Sequence, residues 1–188
     1  MTTTRDWQRN KEMWVRVLMK QTGKGVAEWN RRIRKQRLRD ERSLRAWLTR
    51  QDVTGYAQSL LVMEQFGYPD FVLATADQLI EQQYADRPSL RPIYDLIVGA
   101  ATRCGDVVIQ ARKTYVSLVT PRRTFARVQP TTRTRVDLGL RLDGRRPRGR
   151  LQPSTIHETM SVQVALMTPG EVDSDVQQWL REAYAENS

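Results

Sequence analysis

The stretch RVDLGLRL, residues 135–142, alternates polar and apolar side chains over its whole length. Successive side chains of a β-strand point to opposite faces of the sheet, so the valine and the three leucines of this stretch share one face. The other face carries Arg135, Asp137 and Arg141. A strand of this kind is typical of an antiparallel sheet that covers a core on one side and meets solvent on the other.

The same two-residue period extends outward from this strand in both directions. It predicts strands at 107–110 and 113–119 (or one bent strand), 124–129 and 159–167, and helical spacing predicts flanking helices at 90–103 and 172–185. The fold class expected from these elements is α+β, with a helix, a four-stranded antiparallel sheet and a closing helix. We expect both helices on one face of the sheet, because that packing buries the apolar side of every strand.

The first half of the chain shows only helical spacing. Trp14 and Leu18, then Trp29 and Ile33, lie one turn apart, and the glycines of the Thr22–Gly25 stretch interrupt the pattern between them. The sequence predicts a helical domain over residues 1–86 and an α+β domain over residues 87–188, with the boundary at Arg87-Pro88-Ser89. A plain helical bundle is favoured over a helix-turn-helix, because no motif specific to DNA-binding domains is present.

Composition limits the chemistry that the chain can perform. With one cysteine, Cys104, and one histidine, His157, the sequence predicts no disulfide, no cofactor and no metal site built from these residue types. His157 is interpreted as a surface or packed residue. No signal peptide or membrane span is recognised, which predicts a cytoplasmic protein without a membrane partner.

Enzymatic motifs are also missing from the sequence. It contains no nucleophile elbow, P-loop or dinucleotide-binding fingerprint. The segment from Asp106 to Lys113 approaches a magnesium-dependent nuclease motif, but its lysine stands one residue late and a second carboxylate is lacking. The sequence therefore predicts a protein that is not an enzyme.

Charge gives the clearest functional indication. The chain has a formal net charge of +10 and a pI near 10.3. Most of the excess lies in residues 31–50, with nine basic and two acidic residues, and in residues 112–150, with twelve and two. Clustered cations attract polyanions, and the release of counterions drives such binding.

The polar face of the predicted sheet is the candidate binding site. Its predicted members are Lys113, Tyr115, Ser117, Arg127, Gln129, Arg133, Arg135 and Asp137, with Asp137 interpreted mainly as a cross-strand partner of Arg127 or Arg135. The loops 131–134 and 145–150 are expected to flank this face.

Three functions remain open from these residues. The leading hypothesis is non-catalytic binding of nucleic acid through its phosphates, with DNA favoured over RNA. The first alternative is a small-molecule anion-binding protein whose pocket is formed by Tyr115, Arg127, Gln129 and Arg135. The second is a protein-interaction adaptor that uses the acidic segments 51–111 and 151–188.

Several motifs resemble an uncharacterised bacterial two-domain family. In the helical half they are TGK at 22–24, Trp29 one turn into the next helix and GYA at 55–57; in the second half they are LRPIYD (90–95), RKTYVSL (112–118), FARVQPTTRTRVDLGL (125–140) and WLREAY (179–184). The resemblance implies a small helical domain of unknown function followed by an α+β domain of unknown function, sometimes labelled a predicted transport protein. That second domain also occurs beside nuclease and restriction domains, and its outline is similar to frataxin-like iron chaperones and double-wing DNA-binding modules.

Overall fold

The computed structural model describes residues 7–188, with side chains from Asn10 onward. The chain divides into two compact units, the described residues up to Ala74 and Thr75–Ser188. Residues 1–6, with which the predicted helical domain begins, lie outside the described part. The division into domains at residue 86 stays a prediction.

The first unit consists of helices: α1 Trp7–Thr22, α2 Val26–Gln36, α3 Glu41–Thr49, α4 Gly55–Phe66 and the short α5 Asp70–Leu73. Its core contains Trp14, Leu18, Trp29, Ile33, Leu44, Leu48, Leu60 and Leu61. Gly23 separates α1 from α2 with a positive φ of 66°, a conformation that glycine adopts at little cost. Asp40 caps α3 by accepting a hydrogen bond of 2.8 Å from the backbone N–H of Ser43.

The second unit combines helices with one antiparallel sheet. Its helices are α6 Ala76–Tyr84, α7 Arg91–Thr102 and α8 Ser174–Asn187, and its strands are β1 Val108–Ala111, β2 Val116–Val119, β3 Thr124–Pro130, β4 Val136–Leu140, β5 Gln152–Pro153 and β6 Val162–Leu166. The strand order is β1-β2-β3-β4-β6-β5, and every neighbouring pair is antiparallel. The predicted α+β class, with N-terminal helices and a C-terminal antiparallel sheet, is confirmed.

The predicted number of strands is wrong, because the sheet has six strands rather than four. One added strand arises because residues 107–119 form two strands rather than one bent strand. Residues 112–115 form the turn between β1 and β2, in which the backbone N–H of Arg112 donates to the carbonyl of Tyr115 at 2.8 Å. The other is β5, a two-residue strand that follows the predicted basic loop 145–150 and pairs with β6. A strand this short contains no recognisable alternation.

The two faces of the sheet differ as the sequence predicts. Val116, Leu118, Val128, Leu138 and Leu140 are fully buried on the helix side. The opposite face carries a cross-strand row in which Gln110 pairs with Ser117, Ser117 with Arg127, and Arg127 with Gly139. This row becomes the floor of the candidate site.

A β-bulge interrupts the β2–β3 pairing next to this row. Leu118 pairs with Ala126 but Val119 pairs with Thr124, which leaves Phe125 as the extra residue. Phe125 is buried against Tyr184 of α8, with ring centroids 5.6 Å apart. The bulge thereby places Thr124, rather than the bulky Phe125, on the polar face.

None of the helices in the described part of the chain is both long and apolar enough to cross a membrane.

Candidate anion-binding site

A pocket of about 510 Å³ opens on the polar face of the sheet. Strands β1 to β3 and their turns form its floor, and the segment that precedes β6 forms one wall. The lining residues are Gln110, Arg112, Tyr115, Ser117, Val119, Arg123, Thr124, Arg127, Arg141, His157, Thr159 and Met160. Four of them are arginines, and none of these described lining residues carries a carboxylate.

The wall is held in place by close packing over β4. Segment 154–160 lies over Gly139, where a Cβ atom would stand 2.8 Å from Ile156 Cδ1 and 3.0 Å from Met160 Cγ. Met160 is only 3% exposed. Glycine at 139 therefore allows the segment to approach the sheet closely, and this approach brings His157 and Thr159 to the pocket.

Arg127 is the most tightly held of the four arginines. Its guanidinium carbon lies 3.5 Å from the centroid of the Tyr115 ring, and its Nη2 donates to Gln129 Oε1 at 2.9 Å. Its Nε is buried and lacks a hydrogen-bond partner among the described residues. Burial lowers the pKa of Arg127, and no nearby carboxylate offsets that cost.

The other three arginines are also without acidic partners. Arg112 donates to Gln110 Oε1 at 3.1 Å and to its neighbouring carbonyl, and Arg123 donates to the carbonyl of Glu186 at 3.5 Å. The Nε atoms of Arg123 and Arg141 are buried without hydrogen bonds in the described structure. No described carboxylate lies within 4.0 Å of any of these four guanidinium groups, which is unusual for buried or half-buried cations.

His157 contributes a fixed, exposed imidazole ring. Its Nδ1 accepts a hydrogen bond of 3.2 Å from the backbone N–H of Thr159 and lies 2.8 Å from Thr159 Oγ1. The backbone contact makes Nδ1 an acceptor, so in the neutral ring the proton resides on Nε2. Sequence reasoning placed His157 on the approach to the last strand, interpreted it as a surface or packed residue, and did not assign it to the polar face.

The structure brings together some of the predicted site residues. Tyr115, Ser117 and Arg127 line the pocket, and Gln129 adjoins it through its hydrogen bond to Arg127. Lys113 lies exposed in the β1–β2 turn and Arg133 lies exposed in the β3–β4 turn; neither lines the pocket.

Arg135 and Asp137 form a separate pair outside the pocket lining. Arg135 Nε lies 3.2 Å from Asp137 Oδ1, although the N–H is too poorly aligned for a hydrogen bond. Asp137 is buried, at 1% exposure, whereas the Arg135 side chain is 40% exposed. The expected anion pocket therefore includes Tyr115 and Arg127 but not Arg135.

The basic loop 145–150 does not flank the polar face as expected. Arg145 forms an ion pair with Glu182 at 2.5 Å, and Arg150 forms one with Asp173 at 2.5 Å. Both acids belong to α8 or its N-cap, on the helix side of the sheet. The acidic C-terminal segment thus neutralises two cations of this loop.

Sequence reasoning missed Arg112, Arg123, His157 and Thr159 as pocket residues. The two arginines lie in or beside turns, where two-residue alternation does not assign a side chain to either face of the sheet. The other two residues reach the pocket only because segment 154–160 folds back over Gly139. Among the described residues, no group of three His, Cys, Asp or Glu side chains is arranged to hold a metal ion.

A family model described as a domain of unknown function, DUF5655, matches residues 80–187. The chain belongs to the DUF5655 family. The match covers the sheet, α7, α8 and every residue of the pocket. No curated protein and no solved structure matches the chain. The DUF5655 description assigns no ligand.

Proposed function

We propose that the DUF5655 domain of this chain is a non-catalytic binding domain for a small phosphorylated anion. The observation that carries the proposal is the convergence of Arg112, Arg123, Arg127 and Arg141 on one pocket without a described carboxylate partner. Withdrawing unpaired cations from water is unfavourable, and an anionic ligand offsets that cost by supplying the missing charge.

The donor set favours phosphate among the common anions. Guanidinium groups present planar forks that bind phosphate or carboxylate oxygens in pairs. Tyr115 and Gln129 fix the plane of the Arg127 fork, and Ser117, Thr124 and Thr159 add hydroxyl donors around it. Four arginines and three hydroxyls supply more donors than one carboxylate can accept, whereas a phosphate group offers three terminal oxygens.

Calorimetric titration with inorganic phosphate and pyrophosphate tests this proposal. Arg127→Met is expected to weaken pyrophosphate binding tenfold or more, because it removes the central fork while keeping an extended side chain. Arg146→Met is the matched control, since Arg146 is exposed, forms no ion pair in the described structure and lies outside the pocket. The proposal is contradicted if neither phosphate nor pyrophosphate binds, or if both variants lose the same affinity.

Nucleic-acid binding is the second candidate, and the helical unit supports it. Six basic residues of α2, α3 and their connection are exposed and form no ion pair in the described structure: Arg31, Arg34, Lys35, Arg37, Arg39 and Arg42. The nearby acids are engaged, because Asp40 caps α3 and Glu41 pairs with Arg45 at 2.8 Å. Such a surface suits a phosphate backbone, with DNA proposed ahead of RNA.

Anisotropy with labelled DNA and RNA of increasing length tests this second function. Binding through the helical unit should strengthen with length and fall linearly in a log–log plot against salt. Affinity that depends on neither length nor salt contradicts it. We also propose that the chain has a two-domain layout, a bacterial origin and a cytoplasmic location.

A further inference from the structure

We infer that the pocket takes a phosphomonoester attached to a flat ring, which is the chemistry of a nucleoside monophosphate or of the phosphorylated end of a nucleic-acid strand. The inference rests on the proposed function and names the class of ligand for the same site. Three properties of the pocket carry it: its size, its division into two chemical sides, and its excess of positive charge.

The pocket is too large for a phosphate ion alone. At about 30 Å³ for each water molecule in the liquid, a volume of about 510 Å³ corresponds to roughly seventeen waters. It lies within the range of about 300–1,000 Å³ that is usual for sites of small organic ligands. A phosphate of five heavy atoms would leave most of this space to water, whereas a phosphate ester with an organic part would fill it.

The two sides of the pocket differ in chemistry. The strands and their turns supply the four arginines, whereas segment 154–160 supplies the imidazole of His157 and the thioether side chain of Met160. The ring of His157 is held at Nδ1 by the backbone N–H and the hydroxyl of Thr159. A flat ring or soft apolar surface of this kind suits the face of a nucleobase, since stacking on a π-system needs no particular base.

The charge favours a terminal phosphate over an internal one. A phosphomonoester carries about −1.5 to −2 at neutral pH, whereas an internal phosphodiester carries −1. Four arginines without described acidic partners match the larger charge better. Tyr115 already stacks on Arg127, so we place the base against the His157 side rather than on that ring face.

Calorimetry with AMP, ribose 5-phosphate, inorganic phosphate and adenosine tests the inference. We expect AMP to bind at least tenfold more tightly than ribose 5-phosphate, and adenosine to bind far more weakly than AMP. If AMP and ribose 5-phosphate bind equally and both depend on Arg127, the inference fails while the proposed function stands. If no phosphate compound binds, both fail.

Two variants of His157 locate the base. His157→Ala should remove most of the advantage of AMP over ribose 5-phosphate, and His157→Phe should retain it because the flat ring remains. In His157→Ala the affinity for AMP should fall by a larger factor than the affinity for inorganic phosphate, since the arginines are intact. A loss of phosphate binding equal to the loss of AMP binding in His157→Ala overturns the assignment of this wall to the base.

Short oligonucleotides distinguish the two sources of this ligand. Anisotropy compares a hexanucleotide carrying a 5′-phosphate with the same sequence carrying a 5′-hydroxyl, each in competition with AMP. Tighter binding of the phosphorylated hexamer than of AMP identifies a strand end, and the reverse order identifies a free nucleotide; both support the inference. Binding at the pocket is recognised by its loss in Arg127→Met. If the phosphorylated and hydroxyl hexamers bind there equally, the inference is overturned.

Discussion

Arg127, the central residue of the proposed anion site, is expected to reduce the stability of the fold. It lies on Tyr115 without a carboxylate partner in the described structure, and burial lowers its pKa. We predict that Arg127→Met leaves the melting temperature unchanged or raises it, by the equivalent of about 0–1 kcal/mol, because methionine packs on an aromatic ring without a desolvated charge. Thermal unfolding measures this. A clear loss of stability would show that Arg127 supports the fold rather than a ligand.

The Arg135–Asp137 pair should respond asymmetrically to substitution. Asp137 is buried and has Arg135 as its described ion-pair partner, whereas Arg135 reaches solvent. Arg135→Ala should destabilise the protein by about 2 kcal/mol or more, because it leaves a buried carboxylate unpaired. Asp137→Asn should cost clearly less, since the freed guanidinium can be hydrated. Denaturant unfolding of both variants checks the order, and the reverse order contradicts this description.

At the level of elements, the contact between β4 and segment 154–160 builds the wall of the pocket. A Cβ at residue 139 meets Ile156 at 2.8 Å and Met160 at 3.0 Å, so Gly139→Ala should displace the segment and cost about 1–3 kcal/mol. Gly170→Ala is the control, because nothing lies within 4 Å of its Cβ position and its φ is not positive. Denaturant unfolding gives the stabilities; equal values for the two variants contradict the close packing.

Two-residue alternation predicted the strands and their faces, but not the whole site. It placed Tyr115, Ser117 and Arg127 on one face because the alternating apolar residues of each strand have to face the helices. It could not give the bulge at Phe125, which depends on packing against Tyr184. Nor could it give the position of His157, which depends on the absence of a side chain at Gly139. The missing part of the site thus depends on contacts distant in sequence.

For the whole molecule, the positive charge has more than one role. Arg145 and Arg150 pair with acids around α8, and Arg127 lies in the pocket. Arg31, Arg34 and Lys35 of α2 are exposed. The formal net charge of +10 already subtracts such ion pairs, and it does not show which cations are free to bind a polyanion. An estimate of nucleic-acid binding has to count the unpaired cations rather than the net charge.

We predict that variants of the two units separate the two proposed functions. Arg31→Glu with Arg34→Glu should weaken oligonucleotide binding and reduce its salt dependence, because fewer counterions are released. The same variant should leave pyrophosphate binding unchanged. Arg127→Met, in contrast, should weaken pyrophosphate binding. Anisotropy and calorimetry on the same preparations give both values. Parallel losses in both assays contradict two separate sites.

The most direct test of the anion pocket is an NMR titration that follows the arginine Nε–H signals as pyrophosphate is added. The Nε atoms of Arg123, Arg127 and Arg141 are buried without partners in the described structure. We predict that these three signals shift together and reach saturation, while the signals of the exposed Arg146 and Arg148 stay in place. Shifts confined to the exposed arginines, or none at all, would contradict the central claim.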